Sequence, residues 1–238
     1  LTMFIVFGLI STYSRSGFIG LAVFTLFALK SSKRKVLWML LLSITIYAAM
    51  DFLPEEWFNR MDTVETAEED GSFMHRVVVW KMCTLIALDN PFFGEGFRAI
   101  ENILIWQRYV PNYHLLDFIV TPDVNYFEPV RAAHSIYFQV LSDHGFVGLF
   151  VFVLILVSTY VKIGTIKRRA KKNNMDSWVF TLLSMLRISI IVYCVSGGSV
   201  GIAYFDFLYA IFAMVYVLDN RIVINEITNG ESFVENKH

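Results

Sequence analysis

The chain has 238 residues, of which 56% are hydrophobic and 17% charged, with a formal net charge of −1. Soluble domains carry about 25% charged residues, so the composition excludes an ordinary soluble domain and points to an integral membrane protein; a charge balance this close to zero selects no class of partner. Cys83 and Cys194 lie far apart with no CxxC spacing, which excludes a disulfide framework and a structural zinc site.

In chain order, Leu1–Ile10 is apolar from its first residue, with no charged region ahead of it. That pattern is not a signal peptide, and the chain reads as the C-terminal part of a longer protein, beginning inside a span. A bilayer crossing needs about 20 mostly apolar residues. Candidate spans run over Ser14–Leu29, Val36–Leu53, Phe146–Val161, Trp178–Ser196 and Ile202–Leu218. The third extends back through a helix beginning near His134. Leu1–Leu29 reads either as one long helix or as the end of one span, a break at Ser11–Gly17 and a new span. "GGSVG" at Gly197–Gly201 joins the last two spans as a helical hairpin.

Charge sets the direction. Lys30, Lys33, Arg34 and Lys35 follow the first span, and Lys162, Lys167, Arg168, Arg169, Lys171 and Lys172 follow the third. Short basic loops face the cytoplasm, which assigns Ser11–Gly17, the segment from Pro54 to Ala133 and the GGSVG turn to the other side. The expected fold is an all-α polytopic membrane protein of about five transmembrane helices with one large extracytoplasmic helical loop. Its divisions are transmembrane helices over 1–53, a periplasmic loop over 54–133, transmembrane helices over 134–221 and a polar cytoplasmic tail over 222–238.

The long segment exceeds what a passive connection requires. Glu55–Ser72 is acidic and reads as a surface. "HRVVVWKMCTLIALDNP" then reads as a helix with Arg76, Trp80, Cys83 and Ala87 on one face, ended by Asn90-Pro91 and Gly94-x-Gly96. "RAIENILIWQRY" is a second, shorter helix, and Val110–Val130 is an aromatic loop suited to a lid or a sugar-binding wall.

Topology delivers Arg15, Arg76 and His134 to one membrane face. Histidine has an ordinary pKa of about 6.5 and suits proton transfer at neutral pH. Arg15 lies close to the membrane interface, on the side that the positive-inside preference disfavours. Arg76 stands at a helix start, the end whose dipole is already positive, so an anion nearby would explain it. Together the three describe an outward-facing anion site with a base beside it; arginine forks match phosphate in two-point contacts. Arg187 and Asp206 lie within the last two spans and are expected to pair structurally. Asp143-His144-Gly145 ends a short helix and starts the third span. The sequence holds no D-x-D, no metal-ligand spacing, no G-x-S-x-G and no P-loop. The basic loops lack the aromatic interleaving of nucleic-acid sites.

"TYSRSGFIGL", "HRVVVWKMCTLIALDNPFFGEGF" and "AHSIYFQVLSDHGFVGL" resemble the three signature blocks of the O-antigen ligase and polymerase superfamily, in the right order over about Leu1–Leu156. Spacing and loop look closest to the O-glycosylation ligases associated with exosortase systems. The resemblance implies a GT-C-like glycosyltransferase of the bacterial inner membrane with its site facing the periplasm. Its donor would be a glycan on a polyprenyl (undecaprenyl) diphosphate and its acceptor a hydroxyl of a glycan, lipid or protein, with membrane lipids around it, no nucleic acid and no metal or cofactor. His134 matches the family's histidine, as catalytic base, and Arg15 and Arg76 match its arginines, as diphosphate ligands; Ser14, Arg131 and Ser135 are candidates for support. The family's block often reads His-Asn where this chain has His134-Ser135, a departure that bears on the acceptor. The family's size also implies further N-terminal spans. A polymerase using the same donor is the alternative, and a non-enzymatic carrier of lipid-linked sugar a further one.

Overall fold

A computed structural model describes residues 15–31, 71–127 and 132–235, with isolated helical positions at 8, 35, 36, 39 and 43. The expected second span and residues 55–70 of the acidic stretch thus lie almost wholly outside the described residues. The chain is an all-α polytopic membrane protein. Its α-helices are α1 (Arg15–Ser31), α2 (Gly71–Asp89), α3 (Ile103–Tyr109), α4 (Ile136–Lys172), α5 (Ser177–Ser196) and α6 (Asp206–Glu235). Among the described residues three helices are long and apolar enough to cross a membrane, at Ile136–Lys172, Ser177–Ser199 and Asp206–Ile224. On α4 the side chains Phe146, Phe150, Val153, Leu154 and Val157 are exposed, as a helix facing lipid requires.

The chain divides into two compact units, Leu1–Val151 with Val192–Ala203, and Phe152–Ile191 with Tyr204–His238. The first has a true core. Val78, Val79, Met82, Cys83, Leu85 and Ile86 of α2 bury against Ile100, Ile105, Trp106, Tyr109 and Tyr113. α2 begins at Gly71, earlier than the sequence pattern places it, so Arg76 sits in its second turn and the conflict with the helix dipole eases. The expected single helix over "RAIENILIWQRY" is broken. Arg98 is left-handed (φ 61°), Ala99–Glu101 forms a 3-10 turn, and Asn102 turns extended. Asn102 Oδ1 then accepts the Leu104 N–H at 3.0 Å, capping α3 where it starts. Val110–Leu116 is a 3-10 helix, not open loop. It is tied down by Lys81, which is buried, donates to Asp117 Oδ1 at 2.9 Å and stands 4.0 Å from the centre of the Tyr113 ring.

α4 is interrupted at Gly145 (φ 67°, ψ −169°). A break in a helix orphans backbone groups on both sides, and the loop after α2 satisfies them. Ser142 O accepts Glu95 N–H and Asp143 O accepts Gly96 N–H, each at 3.0 Å, while Phe146 N–H donates to Pro91 O at 2.8 Å. The buried Asp143 carboxylate accepts Ala99 N–H at 3.0 Å. Asp143-His144-Gly145 therefore ends one helix and starts the span, as its composition implies, and "NPFFGEGF" is the piece that splices the two.

In the second unit Lys162 and Arg169 both reach Asp219, at 2.9 and 3.1 Å, joining α4 to α6. Lys167 Nζ donates to Ser184 Oγ at 2.7 Å, joining α4 to α5. The expected Arg187–Asp206 pair does not form. The Arg187 guanidinium lies over the Tyr160 ring, 4.1 Å from its centre, and Asp206 opens α6, where a carboxylate complements the helix dipole. α6 continues as helix to Glu235, through the stretch the sequence assigns to a polar tail.

Candidate functional site

His134 is held by its neighbours. Ala133 and Ser135, on either side, are 2% and 1% exposed, respectively, whereas His134 is exposed. Its backbone is left-handed (φ 47°), a conformation that is uncommon outside glycine and for which histidine is one of the enriched residues. Two buried anchors with a left-handed residue between them present the imidazole outward just before α4.

Several contacts fix this segment. The Trp80 indole N–H donates to Ala133 O at 2.8 Å, and the ring stacks on Phe138 with 5.0 Å between centres and 7° between planes. Arg76 lies one turn before Trp80 on the same face of α2 and is half-buried. Trp80 thus docks Arg76's helix face onto the residue preceding His134. From the other side, Gln139 Oε1 accepts Ala203 N–H at 3.2 Å and Tyr137 O–H donates to Cys194 O at 2.9 Å. Gly197 has no room for a side chain, since a Cβ there would meet Ile136 Cδ1 at 2.7 Å, and a Cβ on Gly201 would stand 3.5 Å from the His134 backbone nitrogen. The GGSVG turn is therefore packed directly against the His134 segment.

Arg15 is the first residue of α1. Its side chain lies outside the described residues, as do Ser14 and Arg131. The helix itself reaches the same cluster: a Cβ on Gly20 would stand 2.5 Å from Ser196 Oγ and 3.5 Å from Val192 Cγ1, about 7.5 Å along α1 from Arg15. The backbone accordingly brings α1, the GGSVG turn and the His134 segment into one contiguous packing group, and Trp80 adds Arg76's helix to it. Ser135 turns inward and its carbonyl accepts Gln139 N–H at 2.9 Å, so in this arrangement it shapes the start of α4.

Sequence reasoning passes over Gln139, Lys81 and Gly201 as positioning residues. Trp80 has a visible signal, its place on the Arg76 face. The others act through contacts with backbone or rings distant in sequence, which no local pattern encodes. Chemically, the arrangement offers an exposed imidazole on a segment to which the helix carrying Arg76 is docked through Trp80. At the C-terminal end of α2, Tyr109 donates to Asp89 Oδ2 at 2.8 Å; burial first, and then that carboxylate, hold its phenol protonated well above the usual tyrosine range. It is a structural hydroxyl and not a second base.

Residues 1–153 match the family model described as O-antigen ligase. No curated protein and no solved structure matches the chain.

Proposed function

Because the chain belongs to the O-antigen ligase family, we propose that it transfers a glycan from a polyprenyl diphosphate to an acceptor hydroxyl at the periplasmic face of the bacterial inner membrane. The acceptor oxygen attacks the anomeric carbon as the bond from that carbon to the diphosphate oxygen breaks. His134 orients the hydroxyl and takes its proton. Arg15 and Arg76 hold the diphosphate and neutralise the charge that grows on it. A diphosphate is already a good leaving group, so two guanidinium forks supply what a metal would otherwise provide. Attack from the face opposite the leaving group inverts the anomeric configuration.

The observation that carries this reading is the docking of Arg76's helix beside His134 through the 2.8 Å bond from Trp80 to Ala133 O. It favours a fixed site over a path through the membrane, and so favours transfer over carriage of the lipid-linked sugar. The test is transfer of labelled glycan from its lipid carrier in proteoliposomes containing EDTA. Turnover is expected to continue, to fall about a hundredfold or more with His134→Ala, and to fall with Arg15→Lys, which keeps charge but loses the fork. Undiminished turnover by His134→Ala removes the histidine from the chemistry. Product size separates the two enzymatic readings: one addition per acceptor marks a ligase, a ladder a polymerase.

A further inference from the structure

We propose that the second unit holds the phosphate of an anionic phospholipid in a cleft between the last turns of α4 and the first half of α5. The cleft has a volume of about 480 Å³, and its walls carry Lys167, Arg168, Lys171 and Arg187 beside the apolar Val161 and Phe180. No carboxylate is among the described residues lining it. The nearby acid, Asp219, is engaged by Lys162 and Arg169. Lys167 donates to Ser184, a neutral hydroxyl, and pairs with no carboxylate among the described residues.

Arg187 is the informative residue. Its Nε is buried with no hydrogen-bond partner among the described residues, while its guanidinium lies on the Tyr160 ring. A buried donor without an acceptor is costly, and a cation within a span faces a cavity or a partner. A phosphate oxygen in the cleft supplies both the acceptor and the countercharge. Gly164 also lines the cleft, and nothing lies within 4 Å of where its Cβ would be, so the backbone is open to a headgroup.

A lipid fits better than a free anion. Arg187 packs on Tyr160, where the uncharged stretch of α4 ends, so a phosphate beside it lies next to surface that acyl chains can cover. Exposed apolar side chains of α4, Val157 and Val161 among them, continue from the cleft and offer a track for acyl chains. Trp178 at the start of α5 is exposed, with Arg221 5.4 Å from its ring centre, an aromatic anchor at interface depth. Anionic lipids attract basic clusters at this level. None of this depends on the transfer reaction proposed above.

The experiment titrates the full chain in neutral detergent with phosphatidylglycerol, phosphatidylcholine or sodium phosphate, reading bound lipid by native mass spectrometry and stability by thermal unfolding. Phosphatidylglycerol is expected to bind at one site and raise the melting temperature, and phosphatidylcholine to do neither. Arg187→Gln should weaken binding about fivefold, and the exposed pair Arg168→Gln/Lys171→Gln about 25-fold. Gly164→Leu, which fills the cleft from open space, should abolish it. The two rim substitutions and Gly164→Leu keep the test valid if Arg187→Gln folds poorly. Equal binding of phosphatidylcholine, unchanged affinity in the Gly164→Leu and rim variants, or stabilisation by sodium phosphate alone would each overturn the proposal.

Discussion

The indole of Trp80 donates to the carbonyl of Ala133 at 2.8 Å, across 53 positions of sequence, and so couples the helix that carries Arg76 to the residue that precedes His134. The stack on Phe138 contributes to the same joint, and the two can be separated. Trp80→Phe keeps an aromatic ring and loses the donor. The orphaned carbonyl costs about 1 kcal/mol, so the melting temperature should fall by only a few degrees. Glycan transfer should fall about tenfold or more, because small misplacement of reacting groups is expensive. Trp80→Ala should lose both stability and transfer. Equal transfer by Trp80→Phe and wild type in proteoliposomes would show that the bond does not position the site.

The sequence-level reading captures what periodicity and charge encode and misses what is built from distant backbone groups. The third, fourth and fifth spans are apolar runs with at most one charged residue each, and they appear as α4, α5 and α6 with shifted ends. The break at Gly145 is half visible, since a glycine after Asp143-His144 marks a boundary. Its repair by Glu95 and Gly96 N–H groups is not visible, because those donors come from a loop nearly fifty residues earlier. The break at Asn102 is hidden because apolar spacing continues through it; only the capping side chain ends one element and starts the next. Sequence pairs Arg187 with Asp206 because opposite charge is legible, whereas the Tyr160 face that the guanidinium covers is not. Arg76 and His134 come to neighbouring segments through Trp80, a residue whose face was legible although its partner was not. The side chain of Arg15 lies outside the described residues.

The left-handed backbone of His134 (φ 47°) separates strain from chemistry. A non-glycine residue in this region costs about 1–2 kcal/mol, and glycine does not pay that cost. His134→Gly should therefore be more stable than His134→Ala by about 1 kcal/mol in thermal unfolding. Both should lose transfer by about a hundredfold or more, the usual contribution of a general base. Added imidazole should restore part of the activity in the glycine variant, where the vacated space is larger. Equal stability of the two variants would show that the left-handed conformation is not present in the membrane.

Gly94 and Gly96 both have positive φ, 64° and 91°, yet they should tolerate alanine very differently. A Cβ on Gly94 would stand 2.5 Å from Ser142 O and 2.6 Å from His144 N, whereas one on Gly96 would meet nothing within 4 Å. Gly96→Ala adds backbone strain alone, about 1–2 kcal/mol. Gly94→Ala adds that strain and also pushes the loop off the break in α4, exposing the carbonyls of Ser142 and Asp143. Gly94→Ala should fail to yield folded protein on detergent size-exclusion chromatography under conditions where Gly96→Ala elutes as a single peak. The reverse order would place the loop elsewhere.

Cys83 supplies a chemical probe of the first unit's core. Its side chain is fully buried, and burial pushes the thiol from its ordinary 9.0 up to about 12, with the buried Asp143 carboxylate adding to the rise. The thiolate is the reactive species, so native protein at pH 7.5 should leave Cys83 unmodified by N-ethylmaleimide for hours, as read by peptide mass spectrometry, and denaturant should expose it at once. The sign of the accompanying pH effect follows from proton counts. Below pH 9 both folded and unfolded states keep the proton. Between 9.0 and about 12 the unfolded chain has released it and the folded chain has not, so stability falls as pH rises through this window. Cys83→Ala removes that titration at the cost of a small cavity. The variant should begin below wild type in melting temperature at pH 7.5 and lose less of it between pH 9 and 11. Parallel decline of the two curves would mean that Cys83 titrates alike in both states and is not sealed in the core.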